Sequence, residues 1–152
     1  MDSKEIELGY IFTDALIEII STISGFSLNV ISQKKDMVFD ELTGVMNLNG
    51  KKSGLLFISA KELDIRMICA HMTGVLRTEV SETETEDLLC ELVNMTAGSA
   101  KLRLSNTDFT FALSQPVVLK GESMSLVAKK RTHVVSRVIG NEEVSVKLKV
   151  VY

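Results

Sequence analysis

The 152-residue sequence lacks the features that define several large classes of protein. It contains no tryptophan, one proline and two cysteines, and none of its apolar runs approaches the roughly 18 residues that a membrane span requires. It also lacks a Lys/Arg-rich run, and its formal net charge is -3. This composition argues against a nucleic-acid partner and against insertion in a membrane.

The beginning of the chain and the cysteines both favour a cytoplasmic location. Residues 1–8 are acidic and polar, unlike the basic start of a secretory signal. Cys69 and Cys90 lack C-x-x-C spacing. Isolated cysteines in a reducing compartment usually serve as small buried side chains and do not form a disulfide. We therefore expect a cytoplasmic protein.

The chain contains no Pro-, Gly- or Ser-rich linker, which predicts a single domain over residues 1–152. Helical periodicity predicts helices at 9–24 and 61–72, the second ended by Gly74, and a long helix from near Thr83. Strand patterns are predicted at 27–32, 38–47, 53–59, 109–113, 117–119, 123–130, 134–139 and 144–151. This order is typical of an α+β fold with an antiparallel sheet.

Two capping boxes compete for the start of the long helix that follows residue 80. Thr83 with Glu86 and Ser81 with Glu84 both have the S/T-x-x-E form, in which each side chain satisfies a free backbone N–H of the other residue. We favour the start at Thr83 and keep Ser81 as the alternative.

The two long helices resemble each other. One alignment pairs Asp14 with Asp87, Glu18 with Glu91 and Gly25 with Gly98, and it places Ser21 where Asn94 stands. Strands follow both helices, which predicts two pseudo-repeated α-β-β-β halves whose antiparallel sheet packs against two long helices. A chance likeness between two amphipathic helices is the alternative.

The second long helix separates into an apolar face and a polar face. On a helical wheel, the polar stripe contains Glu84, Asp87, Glu91, Asn94, Gly98 and Lys101. Glu91 and Asn94 are three residues apart, so their side chains project as neighbours. Gly98 lowers helix stability by about 1 kcal/mol relative to Ala, and the close approach of a partner surface would explain it.

Residues 91–101, ELVNMTAGSAK, resemble the helix motif E-x-x-N-(M)-x-x-G-(N/S)-A-K of CheX phosphatases, which are relatives of CheC and of the flagellar switch proteins. Residues 115–121, QPVVLKG, are similar to the x-P-x-x-x-x-G strand of that family. The first helix has the glutamate without the asparagine, which resembles the one-site CheX type rather than the two-site CheC type.

The resemblance implies a protein phosphatase that hydrolyses the aspartyl phosphate of a CheY-like response regulator, in chemotaxis or in another two-component circuit. It implies that Asn94 orients the attacking water and that Glu91 docks on the receiver lysine, which makes these two the expected catalytic residues. We expect Asp87, Gly98 and Lys101 to contact the partner. Neither a metal nor a cofactor is expected on this chain, because the receiver supplies Mg²⁺.

Other hypotheses remain open. A non-catalytic module that binds a receiver or a flagellar switch protein on the same fold is the main alternative. A metal-dependent hydrolase lacks a ligand cluster, His71 and His133 stand alone, and Ser99 and Ser105 lack a G-x-S-x-G setting. Long alternating strands leave an edge that must be covered, paired or charged, and CheX relatives pair through sheet edges, so we expect a homodimer.

Overall fold

A computed structural model describes residues 3–131 and 133–152. Its helices are α1 (Ser3–Ser24), α2 (Glu62–Thr73) and α3 (Glu82–Arg103), with a short 3-10 turn at Arg77–Glu79. Its strands are β1 (Asn29–Ser32), β2 (Leu42–Leu48), β3 (Gly54–Ala60), β4 (Val117–Lys120), β5 (Val134–Gly140) and β6 (Ser145–Val151). The predicted α+β class is confirmed.

The six strands form one antiparallel sheet in the order β1-β5-β6-β3-β2-β4. We call α1 to β3 the first half and α3 to β6 the second half. If each element is exchanged for its counterpart in the other half, the strand order reads the same from the opposite edge. This pseudo-two-fold relation confirms the predicted pair of α-β-β-β halves, which α2 connects.

Both long helices pack on one face of the sheet, and the main core lies between the two layers. Every second residue from Val144 onward faces this core, as predicted. These residues are buried: Val144, just before β6, and Val146, Leu148 and Val150 within it. From the helices, Phe12, Leu16, Leu89 and Leu92 complete this core without solvent exposure. A smaller cluster around Phe39 and Phe57 covers the opposite face of the sheet.

The ends of the helices follow local sequence signals. Ser81 is the N-cap of α3 and its hydroxyl accepts from the Glu84 N–H at 3.1 Å, in a complete capping box. The predicted start at Thr83 is therefore wrong and the alternative start is correct, because Ser81 reaches the free N–H groups first. Gly74 ends α2 as predicted, with a left-handed φ of 79°.

Two predicted strands are absent from the described sheet. Segment 109–113 makes a single isolated bridge, between Ala112 and Asn49, and pairing with β2 resumes only at Val117. Pro116 lacks an N–H for this ladder, which interrupts the pairing. Segment 123–130 also makes one bridge, and it is bounded by Ser123 at φ 57° and Lys130 at φ 60°, conformations that no strand allows.

The helices of the two halves correspond differently from the sequence alignment. Gly25 ends α1 with φ 81°, whereas Gly98 lies inside α3, so the pairing of these glycines is wrong. The burial patterns of the two helices match when Leu8 is aligned with Leu88, Phe12 with Leu92, Leu16 with Thr96 and Ile20 with Ala100. Asp14, rather than Ser21, then corresponds to Asn94. The error arose because sequence identity was matched without knowing which residues each helix buries.

Candidate functional site

Glu91 and Asn94 lie on the side of α3 that faces away from the sheet. Glu91 is exposed and Asn94 is half-buried, while Leu92 and Val93 between them are fully buried. Within residues 3–131 and 133–152, neither side chain has a hydrogen-bond or ion-pair partner. Both polar groups are therefore available to another molecule, and the buried pair between them fixes the rotation of the helix.

The close contact of α3 with the sheet depends on Gly44 in β2. A Cβ at this position would lie 2.7 Å from the Cγ2 of Val93 and 3.3 Å from the Cγ of Leu89. Only glycine therefore lets α3 settle this close to the strand. Because Val93 directly precedes Asn94, this contact also sets the depth at which the amide is presented.

The predicted site residues follow one another along α3 at alternating intervals of four and three. They are Asp87, Glu91, Asn94, Gly98 and Lys101, and we call this row the α3 face. Asp87 is exposed at one end and Lys101 is half-buried at the other. At 1.5 Å per residue, the row is roughly 21 Å long. It is long enough to meet a protein surface rather than a small molecule only.

No contact within the described chain requires a glycine at position 98. A Cβ built at this position would contact nothing within 4 Å, and the residue lies in the regular interior of α3. An alanine would fit and would favour the helix. The glycine leaves the backbone of the α3 face uncovered for about one turn beyond Asn94.

Sequence reasoning missed a groove beside the α3 face, which we call the α2–α3 groove. Its volume is about 360 Å³, and it is lined by Ile23, Cys69, Met72, Thr73, Glu84, Asp87, Leu88, Glu91 and Met95. The floor is apolar and three carboxylates stand on one wall. The one signal in the sequence was Met72, an apolar residue near the end of an otherwise ordinary amphipathic helix. In the structure this methionine is 42% exposed.

Cys69 lines this groove, and Cys90 lies on α3. Burial, followed by the charge of Glu84, raises the pKa of Cys69. Burial, followed by the charges of Asp87 and Glu86, raises the pKa of Cys90. Both thiols are thus kept in the protonated, weakly nucleophilic form, and both are free, in agreement with the expected absence of a disulfide.

Lys120 links the second sequence motif to the helix that carries the first. Its ammonium lies 2.7 Å from a carboxylate oxygen of Glu82 and 2.5 Å from one of Glu86. Hydrogen bonds to these glutamates raise the pKa of Lys120. The QPVVLKG segment therefore borders the start of α3, although the two motifs are separate in sequence.

The histidines contribute to packing at other places. His71 contacts the ring of Phe26, with 4.2 Å between the centroids, and its Nδ1 lies 3.1 Å from the Met67 carbonyl oxygen. His133 meets the ring of Phe109 edge-on at 5.3 Å. Across residues 3–131 and 133–152, no group of His, Cys, Asp and Glu is arranged to hold a metal ion.

A family model described as "Chemotaxis phosphatase CheX" matches residues 42–139, which is well over half of the chain. The chain belongs to the CheX family. The matched region contains all five residues of the α3 face, the QPVVLKG segment and strands β2 and β3. No curated protein matches the chain, and none of the helices in its described parts has the length and apolar character of a membrane span.

Solved structures share the fold of this CheX-family chain at low sequence identity. CheX from Vibrio vulnificus is 21% identical, with a TM-score of 0.82 and coverage of 95% of this chain and 98% of that one. A CheC-like protein from Shewanella sp. PV-4 is 24% identical, with a TM-score of 0.82 and coverage of 99% and 98%. A CheX–CheY–BeF3–Mg²⁺ complex from Borrelia burgdorferi matches at 16% identity and a TM-score of 0.70, over 93% and 94%.

In this CheX-family chain, α1 does not repeat the α3 face. No asparagine occurs anywhere in α1. The structural counterpart of Asn94 is the exposed Asp14, and the counterpart of Glu91 is Ile11, which is 9% exposed. The expectation that only the second long helix carries the Glu/Asn pair holds, although the residues that replace the pair are not those of the sequence alignment.

Proposed function

We propose that the protein is a phosphatase that hydrolyses the aspartyl phosphate of a CheY-like receiver, with one active face on α3. The observation that carries the proposal is the pair of exposed Glu91 and half-buried Asn94, which has no partner within the described chain and is followed by Gly98 with open space above it. The Borrelia burgdorferi complex, in which a CheX chain of the same fold is bound to CheY, supports a receiver as the partner.

Asn94 orients the attacking water. Its amide can accept a hydrogen bond from the water through the carbonyl oxygen and donate one through the NH₂ group. The water oxygen forms the new bond to phosphorus while the P–O bond to the receiver aspartate breaks, and its electron pair returns to that carboxylate. The products are inorganic phosphate and a free aspartate, so positioning supplies the acceleration.

Glu91 docks on the receiver lysine. A carboxylate and an ammonium form a charge-assisted hydrogen bond that fixes both distance and orientation. Because Glu91 and Asn94 project as neighbours from one rigid helix, this ion pair would set the position of the amide against the phosphoryl group. Asp87 and Lys101 extend the contact at the two ends of the α3 face.

We assign the Mg²⁺ of the reaction to the receiver. The α3 face presents two carboxylates, Asp87 and Glu91. In this proposal Glu91 pairs with the receiver lysine, and a carboxylate that pairs with a lysine is not available as a metal ligand. The proposed reaction therefore uses no metal or cofactor of this chain.

Phosphate release from a phosphorylated CheY-like receiver, followed with and without the protein, tests the proposal. We expect wild-type protein to accelerate release, and Asn94→Ala and Glu91→Ala to lose most of the acceleration. Asn47→Ala and Glu143→Ala, which remove exposed side chains of the same types elsewhere, serve as matched controls. Full activity in both site variants would refute the assigned roles.

The same experiment separates catalysis from simple binding. A receiver that binds tightly while its phosphoryl lifetime stays unchanged would favour the non-catalytic receiver- or switch-binding module. Receiver binding by Asn94→Ala without acceleration would instead support the catalytic proposal.

We also propose a homodimer that forms through a sheet edge. The two edge strands expose apolar side chains: Ile31 on β1 is 60% exposed and Val117 on β4 is 56% exposed. Light scattering after size exclusion gives the mass, and Ile31→Lys and Val117→Lys identify the edge, since a charge disrupts only the paired one. A monomer near 16.8 kDa in the unchanged protein would overturn this proposal.

A further inference from the structure

A cleft beneath α1 is not used by the proposed function, and we call it the α1 cleft. It lies between α1, β1 and β5 and has a volume of about 250 Å³. Its lining includes Gly9, Thr13, Val30 and Arg137. The α1 cleft is separate from the α3 face and from the α2–α3 groove, because none of its lining residues belongs to α2 or α3.

Arg137 is a buried cation beneath α1. The side chain is on the helix-facing side of β5 and the residue is 8% exposed. Its Nη1 donates to the Ser136 carbonyl at 2.9 Å, and no described carboxylate lies within ion-pair distance of the guanidinium. Burial lowers the pKa of this arginine, and the charges of Tyr10 and Glu5 oppose this effect without cancelling it. A buried charge without a direct ion pair is unfavourable, since the lost solvation is replaced only in part.

The space for this guanidinium is provided by a glycine on the helix. A Cβ at Gly9 would lie 2.6 Å from Nη2 of Arg137. One helical turn later, Thr13 lines the same cleft, and the residue is 4% exposed. Its hydroxyl is buried and has no hydrogen-bond partner among the described residues. Two buried polar groups with unused hydrogen-bonding capacity therefore border one cavity.

The equivalent place beneath α3 shows that the fold does not need these groups. The counterparts of Gly9 and Thr13 are Leu89 and Val93, and beneath them stands Gly44 rather than an arginine. A Cβ at this glycine would lie nearest to the apolar side chains of Val93 and Leu89. The polar lining of the α1 cleft is thus a particular feature of the space beneath α1 and indicates a ligand.

We propose that the α1 cleft binds a small anion with a phosphate or carboxylate group, held by Arg137 with the Thr13 hydroxyl donating a further hydrogen bond. The planar guanidinium matches either group with two parallel N–H donors. The volume of the cleft suits a single phosphate or a small dicarboxylate. Two acidic residues are nearby: Asp14 is exposed at the mouth of the cleft, and the Glu5 carboxylate accepts from the Val134 N–H and pairs with Lys35 at 3.5 Å.

Calorimetric titration of the full chain with sodium phosphate and with sodium malonate, against chloride of equal ionic strength, tests the proposal. We expect saturable binding of at least one anion and a rise in melting temperature. Arg137→Met keeps most of the side-chain volume and removes the charge, so binding should be lost. Thr13→Val removes only the hydroxyl, and the dissociation constant should rise about tenfold, as for one lost hydrogen bond.

Arg131→Met, which removes an exposed arginine elsewhere, is the matched control and should bind the anion like wild type. The anion that binds identifies the chemical source, phosphate or carboxylate. Absence of saturable binding of both anions, or unchanged binding in Thr13→Val and Arg137→Met, would overturn the proposal. If Arg137→Met does not fold, Thr13→Val alone decides, because it removes an unpaired buried hydroxyl and should fold normally.

Discussion

The two halves place a helix on the same face of one sheet but fill the space beneath it in opposite ways. Under α3, large apolar side chains of the helix, Leu89 and Val93, meet a glycine of the strand. Under α1, a glycine of the helix meets Arg137 of the strand. The two halves thus share one backbone arrangement, but the large side chain belongs to the helix under α3 and to the sheet under α1.

The outer surfaces of the helices differ as well. α3 presents Glu91 and Asn94, whereas α1 presents Asp14 and buries Ile11 at the corresponding positions. Under the two proposals above, α3 carries a protein-docking face and α1 covers a small-molecule cleft. Each of the following experiments tests one element of this contrast.

The largest effect is expected from Asn94→Asp, which gives α3 the residue that α1 has at this place. A carboxylate cannot donate to the attacking water, and its charge repels the phosphoryl oxygens. We expect receiver-dependent phosphate release to fall about 100-fold, which is comparable to the removal of one positioned donor in other enzymes. The readout is the rate of phosphate release at saturating protein.

Asp14→Asn is the reciprocal control for this variant. It removes the charge from α1 without restoring a glutamate beside it, so activity should equal that of wild type. A gain in rate would mean that α1 is also an active face, against the proposed single site.

The next effect concerns stability and compares two glycines. Gly44→Ala places a Cβ against the branched side chain of Val93 under α3, and overpacking of this kind lowers the free energy of unfolding by about 1–3 kcal/mol. Gly9→Ala meets only the end of the flexible Arg137 side chain, which can move. Urea unfolding should therefore show the larger loss for Gly44→Ala. Equal losses would contradict the difference in packing between the halves.

Gly98→Ala separates stability from function. The Cβ has open space and the helix interior favours alanine, so the free energy of unfolding should rise by about 0.5–1 kcal/mol. Phosphatase activity should fall, because the methyl group stands between the α3 face and the receiver. Unfolding curves and phosphate release are measured on the same preparation. A stabilised variant with full activity would remove Gly98 from the partner contact.

The smallest effect is expected at the edge of the second half. Lys120→Met removes the pairs that join β4 to α3, and all three side chains are substantially exposed to solvent. We expect a slight decrease in melting temperature that disappears in 1 M salt, as for screened surface pairs. Lys34→Met, an exposed lysine, is the control. A decrease that persists at high salt would show that Lys120 acts through packing.

Local patterns allowed the helices, the fold class and the α3 motif to be predicted from the sequence. This was possible because helical periodicity, helix caps and the end of α2 at Gly74 each depend on residues within a few positions of one another. The segments 109–113 and 123–130 were predicted wrongly, because alternation does not show whether a neighbouring strand is free to pair. The opposition of Gly9 and Arg137, far apart in sequence, was likewise invisible until the helix lay on the sheet.

The α2–α3 groove illustrates the same limit at the candidate site. Glu91 and Asn94 could be predicted because both belong to one helix turn. The contribution of Met72 and Ile23 depends on how three helices pack, and no spacing in the sequence records it. The site residues on α3 stay predictions until their variants are measured.

The strand order has a consequence for the independence of the two halves. Within the described residues, β1 pairs only with β5, and β4 pairs only with β2, so each edge strand hydrogen-bonds to the opposite half. A polypeptide of half this length would leave that strand without a ladder partner. Either half alone could therefore complete this sheet only as an intertwined pair of two chains, and α2 is the segment that makes one chain of them here.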